Sequence, residues 1–435
     1  MKKTKTLNNH HIQWQPQAEE EEGVADPRVA AAAAATAMGE EYIDLAKTKL
    51  YVRAKVVKQD GTKLTAAESA KVTPINNWLH SMFSQLDVFL NDRLVSSSNN
   101  LYPYRAYLET LLNHGADALY SHLTCSLYHR DKPGEMEKID ASNPNAVYRA
   151  EYIKESKAVD MIGGLFADIF NQDRYLVNNV NMKIRLLRHA PEFCLMAAPS
   201  KTGEGPTATE TMGSYRVVIE QATLFVHKVK IAPSGLLSHA AVMQNTSAKY
   251  PVRRVEMKSF SLSQGDMGAS RDNIVLGQMP TRVVLALVDG AAMNGHLGKN
   301  PFNFKHHNLN YLALHVDSEQ IPVTAFTPDF DNGLYVREYQ AIFDALGTWK
   351  SDKGIELSRD SFKKGYAIYA FDLTPSQANG GGCCGAFNLL RQGNMKIDIK
   401  FKKPLENTVS VIMHLTYENM LEIDGARQVV YDYST

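Results

Sequence analysis

The second half of this chain reads as a reworked copy of its first. Asn181-Met182-Lys183-Ile184-Arg185-Leu186 returns as Asn394-Met395-Lys396-Ile397-Asp398-Ile399. Upstream of each copy the same parts come in the same order. Leu86-Asp87-Val88-Phe89-Leu90 runs into Asn91-Asp92 and then Arg93-Leu94-Val95, while Leu312-Ala313-Leu314-His315-Val316 runs into Asp317-Ser318-Glu319. Each alternates apolar and polar residues up to a polar turn, which predicts a strand entering a hairpin. A short amphipathic helix is predicted next in both halves, at Tyr104–Asn113 and Tyr335–Leu346. Its apolar stripe is Tyr104, Leu108, Leu111 and Leu112 in one copy, and Tyr335, Tyr339, Ile342, Phe343 and Leu346 in the other. Two β domains in tandem point to a duplicated sandwich rather than to a catalytic fold.

With 435 residues there is room for two or three domains, each with its own core. The 47 basic residues balance the 47 acidic ones, so no global field draws the chain to nucleic acid or anionic membrane. Cys125, Cys194, Cys383 and Cys384 have neither metal-ligand nor disulfide-framework spacing, which suits a reduced intracellular protein. No apolar run approaches the roughly 20 residues that span a bilayer, and Met1-Lys2-Lys3-Thr4 is not followed by the apolar stretch of a secretory signal.

Residues 1–40 combine a basic start, the acidic run Glu19–Glu22 and the alanine block Ala30–Ala35. They are expected to form a mobile arm outside the packed domains, ordered only against a neighbour, so that a chain lacking them would still fold. A first domain is expected over residues 41–232, opening on the strand Leu50–Val57 and closing on the alternating Tyr215–Ile231. A helical connector is expected over 233–250, with Leu236, Leu237, Ala240, Ala241 and Met243 on one side, and a second domain over 251–435. Within the first domain, Leu165–Phe170, Arg174–Val177 and Met182–Leu187 read as short strands, Tyr148–Lys157 as helix, and Pro199–Gly213 as a surface loop. Gly380–Gly385 reads Gly-Gly-Gly-Cys-Cys-Gly, a loop. Strands are short, turns frequent and no βαβ alternation appears, so the chain is mostly β.

Chemistry-bearing motifs are missing. Gly265–Gly268 lacks the spacing and the Lys-Ser/Thr ending of a phosphate loop. Asp329-Phe330-Asp331-Asn332-Gly333 has its glycine one place early for a calcium loop and no glutamate at the twelfth position, which favours a plain turn. His306-His307 has no third ligand at useful spacing, and vicinal Cys383-Cys384 has no neighbouring base. Asn245-Thr246-Ser247 fits a glycosylation sequon, without a secretory signal to give it meaning. No residue is assigned a catalytic, cofactor-binding or metal-ligating role. The chemistry expected of such a chain lies in its surfaces.

Thr73-Pro74-Ile75-Asn76-Asn77-Trp78-Leu79-His80-Ser81-Met82-Phe83-Ser84-Gln85-Leu86-Asp87-Val88 closely resembles the double jelly-roll major capsid proteins of Maverick/Polinton elements and adintoviruses. So do Tyr102-Pro103-Tyr104-Arg105-Ala106-Tyr107, Lys299-Asn300-Pro301-Phe302-Asn303-Phe304 and Leu421-Glu422-Ile423-Asp424. More loosely, Gly385-Ala386-Phe387-Asn388-Leu389 is similar to a turn of many large DNA-virus capsid proteins, and Val409–Asp432 to their final strands. The resemblance covers residues 42–433. It implies a non-enzymatic subunit of two tandem jelly-roll β-sandwiches, with short helices in equivalent loops and no cofactor. Three such subunits would form a pseudo-hexagonal, hexon-like homotrimeric capsomer of an icosahedral virion. Its implied partners are its own copies, neighbouring capsomers, a penton or vertex protein and minor capsid proteins. The arm would then tie capsomers together from below. The connections are short beside the tower loops of adenovirus-type hexons, with Lys201–Gly213 one of the few candidates to project. That leaves receptor binding in doubt. The competing readings are a duplicated carbohydrate- or ligand-binding sandwich and a bicupin-like metalloenzyme. The first needs exposed aromatics or metal ligands clustered at loop ends, the second grouped histidines, and neither pattern stands out.

Overall fold

The computed structural model describes residues 7–13, 29–36, 39–202, 209–349, 351–352, 354–374 and 392–431. Sixteen strands build two jelly rolls. The first uses β1 (Leu7–Gln13), β2 (Val29–Thr36), β3 (Glu41–Lys58), β4 (Phe83–Leu90), β5 (Arg93–Ser97), β6 (Val159–Gly164), β7 (Asn181–Arg188) and β8 (Tyr215–Lys230). The second uses β9 (Ala248–Leu262), β10 (Gly268–Gln278), β11 (Arg282–Asp289), β12 (Leu309–Val316), β13 (Glu319–Phe326), β14 (Ile368–Asp372), β15 (Gln392–Phe401) and β16 (Val409–Ile423). The first pair of sheets runs β1-β8-β3-β6 and β2-β7-β4-β5; the second runs β9-β16-β11-β14 and β10-β15-β12-β13. Adding eight to every strand number of the first pair generates the second. The chain is therefore a double jelly roll, mostly β, duplicated strand for strand.

The internal repeat survives at the level of single residue pairs. Met182 lies opposite Leu90 and Ile184 opposite Val88; Met395 lies opposite Val316 and Ile397 opposite Leu314. Because side chains alternate with period two, this register sends Met182, Ile184 and Leu186 into one core and Met395, Ile397 and Ile399 into the other. The β4–β5 and β12–β13 hairpins close through two-residue turns at positive φ, 46° and 62° at Asn91 and Asp92, 50° and 73° at Asp317 and Ser318. Their hydrogen bonds recur as well. The Asn91 amide donates to the Asn181 carbonyl (2.9 Å) and Asn91 Oδ1 accepts from the Asn181 amide (2.7 Å); Asp317 makes the same two bonds with Asn394 (3.0 and 2.9 Å). The side chains of Asn181 and Asn394 reach equivalent strands, meeting Thr36 Oγ1 at 3.2 Å and Asn273 Oδ1 at 2.6 Å. Glycine adopts the left-handed region without a Cβ penalty. Asp92→Gly is thus expected to stabilise the protein by about 0.5–1 kcal/mol, read as a raised denaturant midpoint.

Helix α1 (Tyr102–Asn113) follows β5, and its counterpart α4 (Val336–Leu346) follows β13, so the short helices occupy equivalent connections. Between them lie α2 (Pro144–Tyr152), inside the long β5–β6 connection, and α3 (Pro233–Met243), which leads from the first jelly roll to the second.

Within the expected unpacked arm, residues 7–13 and 29–36 are strands. β1 pairs with β8 along its whole length and β2 pairs with β7, so the arm supplies two of the eight strands of the first jelly roll. The alanine block is a strand, not a helix. Pairing with one neighbour engages the backbone groups along one side of this edge strand, and this tertiary gain overrides alanine's helix preference. Other readings shift in detail. The stretch 165–177 holds a 3₁₀ turn (Asp168–Asn171) and a single bridge from Leu176 to Ile43 in place of strands. The helix near Tyr148 begins earlier, behind Pro144, a residue suited to a first helical turn. Ser200–Thr202 and Thr209–Thr211 form a small hairpin within the expected loop. Gly380–Gly385, Gly385–Leu389 and Glu19–Glu22 lie outside the described residues.

Candidate assembly surfaces and the seam between jelly rolls

β16 is buried at consecutive positions from Val409 to Tyr417, and its His414 stands 3.6 Å from Glu109 of the first jelly roll. That seam is where the motifs noted separately in the sequence converge. Phe302, fully buried, stacks on Tyr107 with ring centres 4.1 Å apart and planes within 2°, and meets Tyr104 and Phe193 edge-on at 5.8 and 6.4 Å. Such geometries add to the area that each ring removes from water. Asn300 Nδ2 donates to Asp131 Oδ2 (3.0 Å), and Tyr366 Oη donates to the Asp131 carbonyl (2.7 Å). Asp131 Oδ1 in turn accepts from Arg149 Nη2 (2.7 Å) and Asn143 Nδ2 (3.0 Å), with both members of the ion pair sealed from solvent. Arg149 fixes the Thr73–Val88 motif by donating from Nε to the Pro74 carbonyl (2.9 Å), and from Nη1 to the His129 carbonyl (2.5 Å). Asn76 Oδ1 accepts from the His129 amide (2.8 Å). Asp131 and Arg149, the charged pair at the centre of this network, are both hydrogen-bonded on several sides, as buried charges require.

A second chain of charges crosses the seam. Asp168, Arg105 and Glu109 are linked by ion pairs of 2.7 and 2.8 Å, and Asp168 Oδ1 also accepts the Val255 amide of the second jelly roll (3.0 Å). Burial alone would raise the Glu109 carboxyl, but Arg105 and then His414 hold it at about 2. Nearby, His80 Nδ1 lies 2.9 Å from Tyr102 Oη in full burial, and desolvation pushes the imidazole down to about 3. The unfolded chain protonates this histidine near 6.5, the folded chain only near 3, so its contribution is complete above 6.5 and is lost as pH falls between those values. Acidification from pH 7 to 5 should remove about 2 kcal/mol through His80 alone. Urea unfolding at both pH values measures this, and His80→Gln should flatten the slope.

The other residues singled out in the sequence take quieter places. His306 stacks on Phe330 at 3.9 Å, and burial draws both His306 and His307 down to about 4. Asp329 closes its own turn by accepting the amides of Asp331 and Asn332, while Lys402 Nζ sits 2.8 Å from Asp331 and 3.6 Å from Asp329. Cys194 is buried, its thiol pushed up to about 12 by desolvation, and Cys125 is exposed. Cys383 and Cys384 lie outside the described residues. Among the described residues no group of three or more His, Cys, Asp and Glu is placed to hold a metal, and no helix is long and apolar enough to cross a membrane.

The outer surface carries apolar groups that need covering. Val323 is 91% exposed on the edge strand β13, next to Pro322, whose missing N–H denies that edge a strand partner. Leu276 stands exposed on the opposite edge strand β10. α3 carries no Asp, Glu, Lys or Arg, and Leu237 and Val242 face solvent at 73% and 61%. Tyr120 and Trp349, 83% and 65% exposed, rise from the two helical insertions. Apolar groups spread over edges, connector and insertions are what lateral packing would cover. Spacing alone did not reveal them, since exposure is a property of the assembled sheets.

No family model matches this chain. An uncharacterized protein of Caenorhabditis elegans is 24% identical over 403 residues, spanning 90% of each chain. A chain of the Sputnik virophage, determined by cryo-EM, superposes with a TM-score of 0.59 at 10% identity, over 97% of this chain and 92% of its own length. The Faustovirus major capsid protein gives 0.56 at 8% identity, over 97% and 91%. The mavirus major capsid protein gives 0.50 at 12%, over 97% and 90%. At these identities the likeness is one of fold. It spans nearly the whole of each chain, and the fold in question is the double jelly roll of viral major capsid proteins.

Proposed function

We propose that this chain is the major capsid protein of an icosahedral double-stranded DNA virus or virus-like element, assembling as a pseudo-hexagonal homotrimer. The observation that carries the proposal is the strand-for-strand duplication. Three chains of two equivalent jelly rolls offer six similar lateral faces, and a hexagonal lattice needs six similar neighbours. The seam supports it. A double jelly roll works as one tile only if its halves cannot swing, and the buried Asp131–Arg149 pair with the Tyr107–Phe302 stack locks them. Covering the apolar edges and insertions in a trimer would bury well over roughly 2,000 Å². In this proposal the chain divides into a first jelly roll, the connector over 233–250 and a second jelly roll, and acts without catalytic residue or cofactor.

The motifs at Thr73–Val88, Tyr102–Tyr107 and Lys299–Phe304 favour the Maverick/Polinton and adintovirus type, and a full-length relative in a nematode fits an element carried in animal genomes. Partners would be further copies of the trimer, a vertex protein and minor capsid proteins, and the site of action the virion.

Light scattering after size-exclusion chromatography tests the proposal directly. Three chains of 48.4 kDa predict a particle of about 145 kDa, with a six-cornered outline in negative stain. A monomer at micromolar concentration, stable and unassembled, would refute the self-assembling capsomer.

A further inference from the structure

Along one side of the seam the two jelly rolls part into an open cleft of about 1,780 Å³. Its roof comes from the end of α1 and the loop after it, its flank from the loop after α4, and its floor from the sheet of β9, β16, β11 and β14. Thr416 of β16 lies opposite Val255 of β9 and Arg282 of β11, so one row of the sheet carries all three. His414 and Arg253 lie two residues along their own strands, from Thr416 and Val255, and period-two alternation puts them on the same face. That face presents Arg253, Arg282, His414 and Thr416 together to the cleft.

Several polar atoms of these groups lack a protein partner, and the carboxylates Asp117, Asp344, Asp352 and Glu356 belong to the roof and flank of the cleft rather than to this face. Arg282 Nε, both ring nitrogens of His414 and Thr416 Oγ1 are buried, and none forms a hydrogen bond to a protein group among the described residues. His414 Nε2 stands 3.6 Å from Glu109 Oε1, an ion-pair distance too long for a hydrogen bond, and that carboxylate is already engaged by Arg105 at 2.8 Å. Asp372, directly opposite Arg282 on β14, is the other acid on the floor; its Oδ1 accepts the amide and hydroxyl of Thr374 at 2.9 and 2.6 Å, and its charge favours the Arg282 guanidinium. Arg253 lies close enough to depress the ionisation of Arg282, adding to the effect of burial. Scattered unsatisfied groups are ordinary. Four unsatisfied atoms on three adjacent side chains, beside a second guanidinium and inside a cleft, are not.

Guanidinium groups offer donors only, in a fork that fits the oxygens of an oxyanion. Two of them that repel each other are relieved by one ligand carrying more than one negative charge. We propose that Arg253, Arg282, His414 and Thr416 form a binding site for a multivalent, phosphate-class oxyanion in the cleft between the two jelly rolls. Bridging the floor, the anion would relieve the repulsion between Arg253 and Arg282. The site sits within one chain, so it stands or falls independently of trimer formation.

Isothermal titration of the full-length protein with inorganic pyrophosphate tests it, with sodium chloride at matched ionic strength as the reference. The expected result is saturable binding of one pyrophosphate per chain and a raised melting temperature. Arg253 is exposed, so Arg253→Gln should leave folding and native mass unchanged while weakening binding at least tenfold; Thr416→Val should weaken it several-fold. Heat that never saturates, or that sodium chloride reproduces, overturns the site. So does Arg253→Gln binding as tightly as the unaltered protein. Arg282→Gln is the harsher variant, informative where circular dichroism shows it folded.

Discussion

Replacing Arg149 with methionine is expected to destabilise the protein by about 3–5 kcal/mol, the cost of stripping one partner from a buried ion pair. The aliphatic stem is roughly kept, so the loss is electrostatic. Asp131 would remain sealed beside Asn143 and Asn300 with no cation, and the carbonyls of Pro74 and His129 would each lose a donor. Since Asp131 also receives Asn300 and Tyr366 from the second half, the damage should spread to the seam rather than stay in one loop. Urea unfolding followed by tryptophan fluorescence measures the loss, with Trp78 near the site as reporter. Adding Asp131→Asn to Arg149→Met removes the stranded charge and should recover a third or more of the loss. A single substitution costing under about 1 kcal/mol would show that the pair does not anchor the seam.

Much of the fold was legible because a jelly-roll strand with one face in the core must alternate. Met182-Lys183-Ile184-Arg185-Leu186 and its second copy carry that period openly, and the polar turns at Asn91-Asp92 and Asp317-Ser318 fix where the strands reverse. Amphipathic α1 and α4 were legible for the same reason at a different period. What stayed hidden lacks a periodic signal. Ala30–Ala35 has no alternation to show, and its strand state comes from β7 beside it rather than from its own side chains. β10 is exposed over most of its length, so core packing imposes no pattern on Gly268–Gln278. The seam was half legible. Tyr102–Tyr107 and Lys299–Phe304 each stood out by resemblance, but nothing local states that Tyr107 will stack on Phe302. Asp131, lying in an unremarkable polar loop, gave no sign that it would join both halves. The cleft floor was invisible, because Arg253, Arg282 and His414 belong to three different strands and meet only when the sheet forms.

The largest effect is expected from removing residues 1–38. A dispensable arm would leave the fold intact and weaken only contacts between capsomers. The pairing of β1 with β8 and β2 with β7 reverses that expectation. Seven residues of β1 and seven of β2 are registered against their neighbours. At about 0.5–1.5 kcal/mol net for each ladder hydrogen bond, losing both strands costs on the order of 5 kcal/mol or more. Ala35, 2% exposed in the intact chain, would also leave the core of the first jelly roll. The deletion then bares β7 and β8 as long unpaired edges, the kind of surface on which chains pair with one another. A protein starting at Gly39 should therefore appear mainly in the insoluble fraction, or as soluble aggregate on size exclusion, rather than as an assembly-defective trimer. Supplying residues 1–38 as a separate peptide during refolding should restore part of the soluble species, because an edge strand can be donated from outside the chain. If the truncated protein instead elutes as a trimer with an unchanged melting temperature, β1 and β2 are not structural members of the first jelly roll. The arm would then act only between capsomers. Mass and melting temperature on the same peak separate the two cases, since loss of two strands must lower stability whereas loss of a tether cannot.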